Sequence, residues 1–277
     1  MKRRDFLTGI GVAPIAATLS ASSLLAQAPQ GGRGGAAPQG GRGGQAAGAA
    51  PVQPYPPPPP KPRQKLKQSV MGSVWRGGPT EFEERCKVLQ RIGFKGIDLP
   101  AANQIEMMKK YGLSPTMMTG TGTSMQDGFM RKELHDKQEA ACRQGIDVCV
   151  TAGCQNLIGF AGAKRGMSPA EAADNTVAIW TRLKPYAEQK NVNICLEITN
   201  SKVAGDQRAD MVFDNLAWGI DVCKRMNSPR FKIVYDMYHV QIADGHITRN
   251  MLDNLHYNYH MHVASVPTRG QFDDTQQ

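Results

Sequence analysis

The chain has 277 residues and a formal net charge of +9, which is distributed unevenly. Residues 1–28 carry +2 and residues 29–67 carry +6, which leaves only +1 for the rest of the chain. Because nucleic-acid-binding domains concentrate their basic residues on a folded face, this distribution argues against nucleic acid as a partner.

The six cysteines include no CxxC pair, which argues against a zinc ribbon or a disulfide framework. We expect all six cysteines to be buried thiols. Cys149 and Cys154 form the only close pair, and we favour packing over oxidation for it.

The amino end resembles a twin-arginine export signal. The motif RRDFL at residues 3–7 precedes an apolar run at residues 9–25 and an Ala-Gln-Ala sequence at residues 26–28. The run is shorter than the roughly 20 apolar residues that a spanning helix needs, which disfavours an uncleaved membrane anchor. We therefore expect a signal peptide at residues 1–28, no stable membrane insertion, and a periplasmic or otherwise exported protein.

Residues 29–65 have the composition of a disordered linker. The octamer APQGGRGG occurs at residues 28–35 and again at 37–44, and five consecutive prolines begin at Pro56. Such a sequence cannot bury enough apolar surface to offset the entropy of ordering it. A solvated tether is favoured over a segment that binds anionic envelope surfaces.

From Leu66 to Gln277, short apolar runs alternate with amphipathic stretches. The apolar runs predict seven strands: Gln68–Val74, Gly96–Leu99, Ser114–Thr119, Asn156–Phe160, Asn193–Glu197, Phe231–Asp236 and Tyr259–Val263. The amphipathic stretches predict six helices: Glu81–Ile92, Ile105–Tyr111, Arg131–Gln144, Pro169–Gln189, Val212–Arg225 and Thr248–Leu255.

This alternation is typical of a parallel sheet and predicts an α/β fold, the (β/α)8 TIM barrel. Helix stops at Gly93 and Gly112 and the N-cap pair Ser168-Pro169, with Glu171 completing a capping box, agree with it. Residues 66–277 number 212, against about 250 for a typical barrel, and only seven strands are visible. We therefore expect a barrel domain at residues 66–277 that is incomplete after strand seven, unless the fold is completed in another way.

Three successive predicted strands carry a residue of the kind that binds metals at or next to their last position: Glu197, Asp236 and His262. The carboxyl ends of parallel strands meet at one edge of the sheet, so these side chains should share one space. Two carboxylates and an imidazole suit Mn²⁺ or Mg²⁺ better than a thiolate-seeking ion. The alternative is a structural ion-pair network that includes Arg269 or Lys202.

Other histidines and an arginine lie near the same edge. His239 follows Asp236 by three residues and can reach the same edge of the sheet, and Arg269 lies in the loop after the last strand. His260 shares a strand face with His262 and is interpreted as a packing residue or as a neighbour of a metal ligand. His246 and His256 are interpreted as surface or packing residues.

Three segments carry a resemblance: CLEITNSKV, DNLAWGIDVCKRMNSPRFKIVYDMYHVQI and HMHVASVPTRGQFDDTQ. They resemble the hydroxypyruvate isomerase branch of the xylose isomerase-like TIM barrels, and the likeness is densest after Asn191. The resemblance implies that Glu197, Asp236 and His262 bind a divalent metal, and that His239 and Arg269 contact substrate. It also implies that Glu197 is a catalytic acid/base, paired with a second glutamate expected, with strand eight, beyond Gln277.

The implied reaction is a metal-dependent isomerisation of hydroxypyruvate, or of a related small sugar or keto acid, through an enediol. Two alternatives stay open: a ketose 3-epimerase, and a non-catalytic sugar-binding relative. Endonuclease activity is disfavoured because the barrel is near neutral and because nucleases of this fold use a larger histidine-rich metal cluster. A homo-oligomer is compatible with these residues, which do not determine the oligomeric state.

Overall fold

The computed structural model describes residues 66–72, 75, 78–203 and 210–270. The chain divides into two units, Met1–Pro59 and Pro60–Gln277, and the described residues belong to the second. The predicted signal peptide and linker at residues 1–65 lie outside the described residues. No helix in the described part of the chain is long and apolar enough to cross a membrane.

In the part of the chain that the structure describes, seven parallel strands form the wall of a partial barrel. They are β1 Ser69–Met71, β2 Gly96–Asp98, β3 Ser114–Met117, β4 Asn156–Gly159, β5 Asn193–Glu197, β6 Phe231–Asp236 and β7 Asn258–His262. Two sheets contain them in chain order, β1-β2-β3 and β4-β5-β6-β7. A parallel bridge between Met118 and Leu157 joins the sheets where β3 meets β4. The predicted α/β barrel fold is therefore confirmed, and within the described residues the barrel is partial.

Helices connect successive strands. They are α1 Phe82–Ile92, α2 Ile105–Lys110, α3 His135–Ala152, α4 Pro169–Lys190, α5 Leu216–Met226, α6 Met237–Ala243 and α7 Ile247–Asp253, with 3-10 turns at Ala102–Gln104 and Lys132–Leu134. Gly93 ends α1 with φ 97°, a left-handed conformation that glycine adopts without steric cost. Ser168 caps α4 by accepting from the backbone N–H of Glu171, so the predicted start of this helix is confirmed.

Two predicted helices have other bounds in the structure, and a third helix was not predicted. Helix α3 begins at His135 and not at Arg131, and it continues beyond Gln144 because Ile146 and Cys149 keep one face buried. Helix α5 begins at Leu216, since the Asn215 side chain caps it by accepting from Trp218 N–H. Helix α6 was not predicted at all.

The core has two parts that hold the barrel wall in place. Outside the wall, Trp180 of α4 packs on Phe231 of β6 with ring centroids 4.7 Å apart. Inside it, Met117, Ile158, Cys195 and Val234 pack together, each from a different strand. All six cysteines are buried, as predicted.

Candidate metal and substrate site

Glu197, Asp236 and His262 lie together at the carboxyl ends of β5, β6 and β7. Asp236 is paired in register with His262, and Glu197 with Val234 two residues before Asp236. The Nδ1 atom of His262 is 3.2 Å from Oε1 of Glu197. The expectation that these three strand ends share one space therefore agrees with the geometry.

A fourth strand contributes Asp98, which the sequence reasoning missed. Its carboxylate is 2 % exposed and lies at the end of β2. Oδ2 accepts from Nε2 of His262 at 2.8 Å, and Oδ1 accepts from the hydroxyl of Thr116 at 2.7 Å. His260, on the same face as His262, places Nε2 3.1 Å from Oδ1. The sequence GID at residues 96–98 carries the same signal as the other sites, an apolar strand that ends in a carboxylate.

The charges in this cluster stabilise one another. Burial alone lowers the pKa of His262, but hydrogen bonds to Asp98 and Glu197 outweigh burial and raise the pKa to about 10. Burial alone raises the pKa of Asp98, but hydrogen bonds from His260 and His262 hold it well below its usual range. Without a metal ion, His262 is thus a cation held between two carboxylates.

Arg269 and His239 both lie next to the carboxylate of Asp236. Nη2 of Arg269 donates to Oδ2 of Asp236 at 3.0 Å, and the guanidinium lies 5.0 Å from the ring centroid of Tyr238. The alternative ion-pair network is therefore partly present, through Arg269. Lys202, the other proposed member, donates instead to the carbonyl oxygen of Ala243.

The orientation of His239 is fixed by Asn200. The Asn200 side-chain oxygen accepts from Val203 N–H at 3.2 Å, so its amide nitrogen faces Nδ1 of His239 at 2.7 Å. Nδ1 therefore accepts, and the proton lies on Nε2, which is 3.6 Å from Oδ2 of Asp236. This N–H group faces the space that Asp236 borders.

Helix α6 begins directly at the site. Asp236 is both the last residue of β6 and the N-cap of α6, where its Oδ1 accepts from Tyr238 N–H at 2.9 Å. This cap leaves Oδ2 as the oxygen that faces Arg269 and His239.

The donor set fits a hard divalent cation. Glu197, Asp236 and His239 bring ligand atoms within 4.8 Å of one another, and so do Asp98, His260 and His262. The predicted ligands Glu197, Asp236 and His262 combine members of both groups. Two carboxylates and one imidazole nitrogen are ligands that Mn²⁺ and Mg²⁺ accept, and Arg269 and protonated His262 now supply the positive charge that these carboxylates need.

The family model described as xylose isomerase-like TIM barrel matches residues 86–274. The chain belongs to this family. A 2-oxo-tetronate isomerase from Pectobacterium atrosepticum is 23% identical over 207 residues, which cover 70% of this chain and 76% of that protein. A putative hydroxypyruvate isomerase from Mus musculus is 25% identical over 203 residues, covering 68% and 72%. The predicted likeness to isomerases of this family is thus confirmed at low identity.

Solved structures of other proteins share the fold. The apo 3-keto-D-glucoside 4-epimerase from E. coli has a TM-score of 0.60 and 18% identity, with 76% of this chain and 84% of that one covered. A D-psicose 3-epimerase solved with D-fructose has a TM-score of 0.58 and 16% identity, covering 74% and 77%. The IolI protein, solved with a bound zinc atom, has a TM-score of 0.59 and 12% identity, covering 72% and 73%.

Proposed function

We propose that the protein is a divalent-metal-dependent isomerase that interconverts a small hydroxy-keto acid, such as hydroxypyruvate, with its aldehyde isomer through an enediol. The observation that carries the proposal is the convergence of Glu197, Asp236 and His262 at one edge of the barrel. The isomerases named among the relatives support this substrate class.

In this proposal Glu197, Asp236 and His262 hold Mn²⁺ or Mg²⁺. A divalent ion held by these residues would supply Lewis acidity to the substrate carbonyl, which lowers the pKa of the C–H group on the adjacent carbon. Glu197 lies at the open end of its strand with a side chain 12% exposed, which lets one carboxylate oxygen reach a substrate carbon. It removes the proton from that carbon as general base.

The neighbouring side chains bind and orient the substrate. The Nε2–H group of His239 donates to a substrate oxygen, and its direction is held by the bond from Asn200 to Nδ1. Arg269 offers a planar pair of donors suited to a carboxylate. Glu197 then returns the proton to the adjacent carbon, and the hydroxyl proton passes from the oxygen that becomes the carbonyl to the oxygen that becomes the hydroxyl.

The first test is the Glu197→Gln variant with Mn²⁺ and hydroxypyruvate, followed by NMR of the aldehyde product. We expect kcat to fall by at least about 10²-fold, since a general base contributes roughly 10²–10⁴-fold. Glu106→Gln is the matched control, because the Glu106 side chain is 84% exposed on α2. Retained activity in a folded Glu197→Gln protein would remove Glu197 from the mechanism.

A ketose 3-epimerase is the second candidate, favoured by the epimerases among the structural neighbours. Assays with free ketoses distinguish it from a keto-acid isomerase. Binding of metal or sugar without turnover of either substrate would instead indicate the non-catalytic relative. Export through the twin-arginine route also remains a proposal, which fractionation of cells that express an Arg3→Lys, Arg4→Lys variant tests.

A further inference from the structure

Asp98 is a buried carboxylate whose oxygens are all engaged by polar groups of the barrel. Thr116, His260 and His262 lie 2.7, 3.1 and 2.8 Å from its oxygens. A carboxylate that is only 2% exposed is costly unless it is paired and hydrogen-bonded, so this arrangement needs a reason.

His262 faces two carboxylates through its two ring nitrogens. Nδ1 faces Glu197 at 3.2 Å and Nε2 faces Asp98 at 2.8 Å. When an imidazole binds a metal through one nitrogen, the hydrogen bond made by its other nitrogen determines which tautomer is present. When His262 gives up one proton to bind a cation, Asp98 keeps the remaining proton on Nε2, and Nδ1 gains a free lone pair on the Glu197 side.

We propose that Asp98 is a positioning residue that holds His262 as the Nε2–H tautomer, with Nδ1 directed at the divalent cation. This inference rests on the metal site of the proposed function and deepens it.

The other contacts of Asp98 keep the carboxylate from turning away. Thr116 and His260 both engage Oδ1, so Oδ2 is left to His262. The rings of His260 and His262 meet edge to face with centroids 5.2 Å apart, which limits rotation of His262. His260 therefore helps to hold the Asp98 carboxylate in its orientation. Among the hydrogen bonds of the described residues, none joins His260 to Glu197.

The test is the affinity and stoichiometry of Mn²⁺ binding to the full chain, measured by calorimetry for the wild type and for Asp98→Asn. The substitution keeps the shape of the side chain and removes its charge. We expect one equivalent of Mn²⁺ in both proteins and an affinity about 10- to 100-fold weaker in Asp98→Asn, the usual cost of losing such a partner. Asp136→Asn is the control, because it makes the same substitution at a side chain that is 96% exposed on helix α3, and we expect its affinity to equal that of the wild type.

A spectroscopic measurement separates positioning from general damage. With diamagnetic Zn²⁺ bound, ¹⁵N NMR of the imidazoles should show the Nε2–H tautomer of His262 in wild type and in Asp136→Asn. In Asp98→Asn we expect this signal to broaden or to give way to a second tautomer.

Two outcomes would overturn the proposal. Equal Mn²⁺ affinity in wild type and Asp98→Asn would show that Asp98 does not position His262. Two equivalents in wild type that fall to one in Asp98→Asn would make Asp98 a ligand of a second ion. Tight, Asp98-dependent Mn²⁺ binding without any isomerase activity would leave this inference standing and overturn the proposed reaction.

Discussion

Arg269 contacts both an acid and an aromatic ring, which makes its role measurable. It pairs with Asp236 and lies over Tyr238, and in the proposed reaction it binds the substrate carboxylate. Lysine keeps the charge but loses the planar fork, so we expect Arg269→Lys to raise KM for hydroxypyruvate by about 10-fold, roughly the loss of one charge-assisted hydrogen bond. KM for a neutral ketose should change less. Arg249→Lys is the control, because Arg249 pairs with Asp253 on the exposed helix α7; an equal effect of both variants would contradict the assignment.

The charge on His262 predicts how the stability of the metal-free protein depends on pH. The folded pKa of about 10 exceeds the ordinary value of 6.5, so protonation of His262 stabilises the fold. This contribution is fully present below pH 6.5 and is lost as the pH rises toward 10. The charged groups that face His262 are Asp98 and Glu197, and His260 packs against its ring.

Urea unfolding of EDTA-treated protein, compared with His262→Gln, measures this contribution. We expect the difference in free energy of unfolding between the two proteins to shrink steadily from pH 6.5 to pH 10. Buried thiols deprotonate equally in both proteins and so cancel from the comparison. A difference that stays constant over this range would mean that His262 is not charged in the folded protein.

The candidate site could be predicted from the sequence only in part. Glu197, Asp236 and His262 were found because each ends an apolar run long enough to read as a strand. Asp98 was missed because the predicted strand continued past it to Leu99, and nothing local shows that its carboxylate faces a histidine 164 residues later. Asn200 was missed for the same reason, since its partner His239 lies on another element.

At the level of the elements, the cap of α4 contributes measurable stability. The Ser168 side chain accepts from Glu171 N–H, and Pro169 begins the helix. We expect Ser168→Ala to lower the free energy of unfolding by about 1 kcal/mol, the usual value of an N-cap. Ser168→Asp keeps a hydrogen-bond acceptor at the same position and should retain nearly all of the wild-type free energy of unfolding. Urea denaturation compares the three proteins, and an equal loss in both variants would contradict a capping role.

Strands β5 and β6 were predicted more accurately than the helices because their apolar runs are almost entirely buried. The bounds of β5 and β6 are those predicted, Asn193–Glu197 and Phe231–Asp236. Helix α6 was missed because no loop separates it from β6: Asp236 ends the strand and caps the helix at once. A sequence pattern that assigns one role to each residue cannot anticipate such a junction.

The barrel brings together ligand-type residues that are far apart in sequence. The parallel order of the seven strands follows from the alternation of strands and helices, so the fold class could be predicted. The contacts of Asp98 in β2 with His260 and His262 in β7 could not be predicted, because they depend on how the barrel wall curves. Their consequence is that Asp98 and Thr116, in the first sheet, act on ligand-type residues in the second.

The contact between Asp98 and His262 spans 164 residues, so it also bears on when the site forms during folding. Closing so long a loop costs entropy that local helices and neighbouring strands do not incur, and such contacts form late. A chain that has paired β5 with β6 but has not brought β2 to β7 holds two carboxylates and an unoriented imidazole. Under the proposed function, selective binding of a divalent ion therefore requires the complete set of strand contacts, and the ion would be bound in the compartment where the barrel completes its folding.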